Sequence, residues 1–185
     1  MRLGSYFPKL KATSTNGPIV FPHDIGARWS VVMFHAQAFA PVCASEIVAL
    51  SRLAKKQLKE LCVYSVIPES VETLSDWIAD IKTKTGVTVD HTCIADPESH
   101  FASAFFETSR PFDGRPGPRG HFIFDTTQRL AAKTQLPRQV GFSSEELVRM
   151  TSALALTRHG EMVAPANWNF GVPMLEIGRR PTLRA

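Results

Sequence analysis

The apolar positions of this chain change period several times, and each change marks an element. Residues 31–34 are an unbroken apolar run, the pattern of a strand covered on both faces. From Ile47 onward apolar residues recur as Leu50, Ala54 and Leu58, a helical stripe. A second continuous run, 61–66, has strand length and stops before Pro68. Leu74, Trp77, Ile78 and Ile81 then mark one face of a helix that ends at Gly86, with Lys82 and Lys84 in its last turn. A short strand around 92–94 follows, and Phe101 with Phe105 sketches another helix at i,i+4 spacing.

Turn chemistry supplies the remaining punctuation. Asn16-Gly17-Pro18 sits between short apolar pieces in residues 3–27 and predicts an N-terminal hairpin. Residues 109–118 are rich in Pro and Gly, a loop by composition. Residues 121–125 pair through Thr126-Thr127 with 129–134 as a second hairpin. Ser143 with Glu146 makes a capping box, and Phe142 with Leu147 the matching hydrophobic staple, for a helix reaching about Leu156. Strands alternating with helices argue for an α/β fold.

Composition narrows the possibilities without naming an activity. The 185 residues suffice for one domain with a real core, and 44% hydrophobic against 21% charged is ordinary for a soluble globular chain. No apolar run approaches bilayer-spanning length, and the N-terminus lacks the apolar core of a signal peptide. The net charge of +4 is mild and its basic residues are scattered, apart from Arg179, Arg180 and Arg184 in the tail, so neither nucleic acid nor membrane is expected as a partner. Three widely spaced cysteines do not form a disulfide framework, which points to a reducing, cytoplasmic home.

One cysteine stands apart by its placement. Cys43 follows the 31–34 run after a short loop and sits where the next helix begins, with Pro41 suited to the first turn of that helix. Backbone N–H groups at a helix start favour the thiolate. A small core hydrophobe is the competing reading of any lone cysteine. Cys62 falls inside the 61–66 strand and Cys93 at the end of the next one, so both read as core residues. Six histidines invite a metal site, but no Cys-x-x-Cys, His-x-x-x-His or His-Glu-x-x-His spacing occurs. The missing Cys-x-x-Cys also excludes a thioredoxin-style disulfide reductase, and Gly-rich phosphate loops are absent.

Around this cysteine the residues Phe39, Pro41, Val42, Cys43 and Glu46 match the nucleophile motif of the peroxiredoxins of the alkyl hydroperoxide reductase and thiol-specific antioxidant type. Residues 76–87, the Ile94-Ala95-Asp96-Pro97 tetrapeptide and the Pro165-Ala166-Asn167-Trp168 segment extend the resemblance over roughly residues 3 to 178, most closely to the one-cysteine branch. The resemblance implies a thioredoxin-like fold, a central mixed sheet with helices on both faces, in a domain spanning 1–160. Residues 161–185 would form a short C-terminal segment packed on that domain or extending from it.

The resemblance also assigns roles. Arg119, in Arg119-Gly120-His121-Phe122-Ile123-Phe124-Asp125, matches the arginine that stabilises the thiolate and holds peroxide oxygens. Glu46 would orient that arginine or the loop before it. His35 matches a strand-end histidine that bonds loop carbonyls or is simply satisfied in place. Ala40, Pro41 and Val42 would line the substrate.

The implied activity is thiol-dependent reduction of hydrogen peroxide or organic hydroperoxides through a Cys43 sulfenic acid. An external thiol, small or thioredoxin-like, would complete the cycle, with no cofactor or metal, in a homodimer. Two departures bear on the rate. Ala36 replaces a proline, and Ala40 replaces the hydroxyl residue that bonds thiolate and peroxide in the family, a donor worth about 10²–10³ in rate. Phe142 also stands where many relatives carry a second arginine. A slow peroxidase, a redox sensor or binding module, and a repurposed thiol enzyme all remain open on the sequence alone.

Overall fold

The Asn16-Gly17 signal closes a tight hairpin, β1 (Leu10–Ser14) against β2 (Gly17–Phe21), with Gly17 at φ 100°, where a side chain would be strained. A computed structural model describes residues 1–57, 61–107 and 116–178 of the protein. The apolar run becomes β3 (Trp29–Phe34), and α1 (Pro41–Gln57) follows with Pro41 as its first residue. Ile47 and Leu50 of the predicted stripe are fully buried, whereas the Ala54 side chain and Leu58 lie outside the described residues. So does most of the predicted 109–118 loop, and so do Arg179, Arg180 and Arg184.

The next elements form for local reasons. β4 (Leu61–Ile67) ends where Pro68 removes a donor. α2 (Val71–Thr85) starts at Ser70, whose hydroxyl accepts from the Thr73 N–H, and stops at Gly86 in the left-handed conformation, whose N–H closes on the Lys82 carbonyl. β5 (Thr92–Ala95), α3 (His100–Phe106), β6 (Gly120–Phe124) and β7 (Leu130–Gln135) complete the larger unit.

Seven strands make one mixed sheet in the order β2-β1-β5-β4-β3-β6-β7. The β5-β4-β3 centre is parallel, and the flanking pairs are antiparallel. The two sheet faces carry separate cores, as period-2 alternation requires. Val32, Phe34, Tyr64, Val66, Ile94, Phe122 and Phe124 pack with Phe101 and Phe105 of α3. On the other side Ile67 and Cys93 pack with Cys43 and Ile47 of α1 and Leu74, Trp77 and Ile81 of α2. Helices therefore cover both faces, and the α/β sheet matches the thioredoxin-like expectation.

The chain divides into two compact units, Met1–Phe142 and Ser143–Ala185. The second unit holds α4 (Ser144–Thr157) and a small antiparallel pair, β8 (Met162–Val163) with β9 (Leu175–Glu176). Ser143 caps α4 by accepting from the Glu146 N–H. The Glu146 carboxylate turns toward Arg149, at 2.6 and 2.7 Å, because a guanidinium one turn on is the stronger partner.

Candidate active site

Chain geometry at the end of β3 decides where the chemistry sits. His35 is the first residue past the strand, and its N–H still bonds the Val66 carbonyl of the parallel neighbour β4. The loop from Ala36 to Ala40 turns back through Phe39, whose φ of 59° is unusual for a residue with a side chain. The Ala40 carbonyl accepts the first helical bond of α1 from the Ala44 N–H at 2.9 Å, so Ala40 is the cap residue and Cys43 the third residue of the helix. Alanine offers no oxygen to cap the first-turn amides. Pro41 is exposed, and Ala40 and Val42 are half-buried around a Cys43 that keeps only 1% of its surface.

Burial pushes the Cys43 thiol up, but the His35 imidazole beside it and the backbone N–H groups of Gln37 and Ala36 outweigh it, and the thiol is held below its ordinary range. Burial likewise presses His35 down, while Cys43 and Glu46 beside it raise the imidazole overall. Each partner thus favours the charged form of the other.

At the two other cysteines burial prevails, in Cys62 against the nearby Arg28 charge and the Tyr64 side chain. Burial pushes Cys62 up, and it pushes Cys93 up to about 12. All three are free thiols.

His35 does not bond loop carbonyls as the sequence reading allowed. Its Nδ1 lies 3.1 Å from Glu46 Oε2 and its Nε2 3.1 Å from the hydroxyl of Ser65 on β4. Glu46, also buried, gathers three donors: His35, the Phe142 backbone N–H at 3.1 Å, and the Arg119 guanidinium through a short Nη2–Oε1 ion pair. The position that holds a second arginine in many relatives therefore contributes a backbone donor here, while the Phe142 ring sits 6.5 Å from the His121 ring.

Arg119 lies one link further from the sulfur than expected. No hydrogen bond joins it to Cys43; its Nη1 donates to the carbonyls of Pro137, Arg138 and Val140 at 2.8, 3.0 and 2.8 Å. Its Nε–H is buried and has no partner among the described residues. The neighbouring Gly120 keeps β6 against β7, because a Cβ there would overlap the Thr134 carbonyl oxygen.

His35, Cys43 and Glu46 bring three potential ligand atoms within 4.8 Å of one another. A divalent cation would accept that donor set, yet both ring nitrogens of His35 are already engaged and Glu46 already answers a guanidinium.

The arrangement also contains residues that sequence reasoning passed over. Ser65 bonds His91 Nε2 at 2.9 Å, and His91 Nδ1 lies 3.4 Å from Ser51. All three side chains are buried. A serine in the middle of an otherwise apolar strand was the one available signal.

Comparison with known proteins agrees with this geometry. The profile of the AhpC/TSA family matches residues 3–133. A peroxiredoxin of Treponema denticola is 30% identical over 169 residues, which cover 90% of this chain and 79% of that protein. A peroxiredoxin of Thermotoga petrophila is 31% identical over 169 residues, covering 90% and 77%. Among solved structures, a yeast mitochondrial 1-Cys peroxiredoxin superposes with a TM-score of 0.87 at 27% identity, covering 94% of this chain and 85% of that one.

Proposed function

The chain belongs to the AhpC/TSA family and is a thiol-dependent peroxidase; we propose that Cys43 reduces hydrogen peroxide or an organic hydroperoxide, with an external thiol as reductant. The observation that carries this reading is the pairing of Cys43 with His35, backed by Glu46 and Arg119. A buried thiol becomes a nucleophile only where the thiolate is compensated, and this is the one of the three cysteines held low.

The Cys43 thiolate attacks the distal oxygen of the peroxide. The O–O bond breaks, the sulfur is oxidised to a sulfenic acid, and the leaving oxygen takes a proton to depart as water or an alcohol. The Arg119 Nε–H, without a partner among the described residues, is a donor suited to a peroxide oxygen. With 1% of Cys43 exposed, small peroxides reach it more readily than bulky ones.

Reduction then falls to a second molecule. Cys62 belongs to the opposite sheet face, and burial keeps Cys93 protonated. An external thiol condenses with the sulfenic acid and releases water, and a second thiol regenerates Cys43 as a disulfide leaves. The yeast 1-Cys relative is resolved through glutathione and thioredoxin systems, which supports the same class of reductant here. A reducing compartment such as the cytoplasm suits three free thiols, and a homodimer is the proposed assembly. Among the described residues no helix is long and apolar enough to cross a membrane.

Ala40 and Phe142 favour a second reading, a slow peroxidase whose oxidation serves as a signal. Stopped-flow reaction with hydrogen peroxide, followed by intact-mass detection, separates the two. Multiple turnovers with a thiol support the enzyme. One slow oxygen addition with no turnover supports the sensor, and an unoxidised Cys43 overturns both.

A further inference from the structure

A chain of buried polar groups crosses the core from His35 to α1, joining residues that lie far apart in sequence. It runs from Glu46 to His35 Nδ1, from His35 Nε2 to Ser65, from Ser65 to His91 Nε2, and from His91 Nδ1 to Ser51. Ser51 ends it by donating to the Ile47 carbonyl at 2.8 Å. No activity requires His91 or Ser51 so far, yet burying two hydroxyls and an imidazole is costly unless each is satisfied.

The directions of these bonds follow from the fixed end. A carbonyl only accepts, so the single Ser51 hydrogen points to Ile47, and toward His91 Ser51 can only accept. His91 Nδ1 must therefore carry a hydrogen. At the other end Glu46 is a carboxylate, so His35 Nδ1 must carry one too. If both imidazoles were neutral, Nε2 of each would be an acceptor facing Ser65, whose one hydrogen can serve only one of them. One contact would then be a repulsion of lone pairs. The chain closes completely only with one further proton, on His35 Nε2 or on His91 Nε2.

The surroundings decide between the two rings. His35 faces the Glu46 carboxylate and the Cys43 sulfur of α1, with Arg119 beyond Glu46. His91 is buried with only Asp90 in its favour, and burial above all pushes it down to about 3. The proton belongs on His35.

We propose that Ser51, Ser65 and His91 are positioning residues for Cys43, forming a hydrogen-bond chain that closes only when it holds one extra proton, which it places on His35 beside the thiolate. The inference rests on reading Cys43 as the attacking group. It does not depend on how fast peroxide is turned over, so its test uses an alkylating agent.

In the protein with 15N-labelled histidines, the ring-nitrogen NMR signals at neutral pH should show His35 protonated on both nitrogens and His91 neutral with its hydrogen on Nδ1. A His91→Gln variant assigns the His91 signals. A neutral His35, or a His91 hydrogen on Nε2, overturns the proposal without any variant having to fold. In Ser65→Ala, which removes the bridging acceptor, the Cys43 thiol should shift up by about one pH unit, seen as a roughly tenfold slower reaction with iodoacetamide at mildly acidic pH. Ser65→Thr keeps the hydroxyl and should restore the rate. An unchanged alkylation profile in a folded Ser65→Ala protein also overturns it, whereas a failure of peroxide turnover with the profile shifted as expected would count only against the peroxidase reading.

Discussion

Arg119 and Glu46 form a buried ion pair that joins the residue before β6 to the first turns of α1, and through it the guanidinium acts on the reactive thiol at one remove. The pair does two things at once. It anchors the Glu46 carboxylate against His35, and it fixes the 137–140 segment by three carbonyl bonds to Nη1. Such an arrangement is costly to break, because each partner is buried.

Arg119→Met should therefore destabilise the protein by about 3–5 kcal/mol, the usual consequence of leaving one member of a buried pair uncompensated. It should also raise the Cys43 thiol, since the site would keep two negative groups against one positive. Urea denaturation measures the first effect, and the pH profile of alkylation measures the second. A stable variant with an unshifted profile would remove Arg119 from the electrostatics of the site.

Ala40→Thr should change two properties by one hydroxyl. As the cap of α1, threonine should add about 1 kcal/mol of stability. As a preorganised donor near Cys43, it should speed peroxide reduction by at least about tenfold, a conservative share of what one such donor supplies. A gain in stability without a gain in rate would mean the hydroxyl caps the helix but does not meet the peroxide.

Among the three thiols, Cys43 should be alkylated first in the native protein at mildly acidic pH and Cys93 last. The reasons are the opposite pulls on the two sulfurs: His35 and backbone donors on Cys43, and uncompensated burial on Cys93. Peptide mapping after brief labelling checks the order. Early labelling of Cys62 or Cys93 would contradict it.

Acid should destabilise the fold through His91. Its folded pKa of about 3 lies below the ordinary 6.5, so between those values the unfolded chain binds the proton that the folded one refuses. Stability from this group is full above the unfolded value and falls as pH drops toward the folded one. His91→Gln should flatten the decline of the thermal midpoint over that window. An equal decline in both proteins would assign the acid sensitivity to other groups.

Much of the fold was legible in short stretches of sequence. The 31–34 run, the helix that stops at Gly86, and the Asn16-Gly17 hairpin each depend on neighbours a few positions away. The same holds for Cys43 at the start of α1, because Pro41 and the period beginning at Ile47 are local marks. Arg119 and Glu46 could be singled out only by resemblance to a family, since a charged residue taken alone reads as solvated surface.

Tertiary structure decided what those residues do. The parallel register places Ser65 opposite Cys93 and Val66 opposite Phe34, and this brings residues 35, 65 and 91 into one line of hydrogen bonds. Within a window of the sequence Ser65 stands out only as a polar residue in an apolar strand, and nothing there distinguishes His91. Their meaning arises from partners 26 or more positions away, in a core where leaving a buried polar group without one is costly. Helix and strand follow from local periodicity, which the sequence carries by itself. The lowering of the Cys43 thiol follows from the groups that the fold brings beside it, against the cost of burial, and only the folded chain sets those.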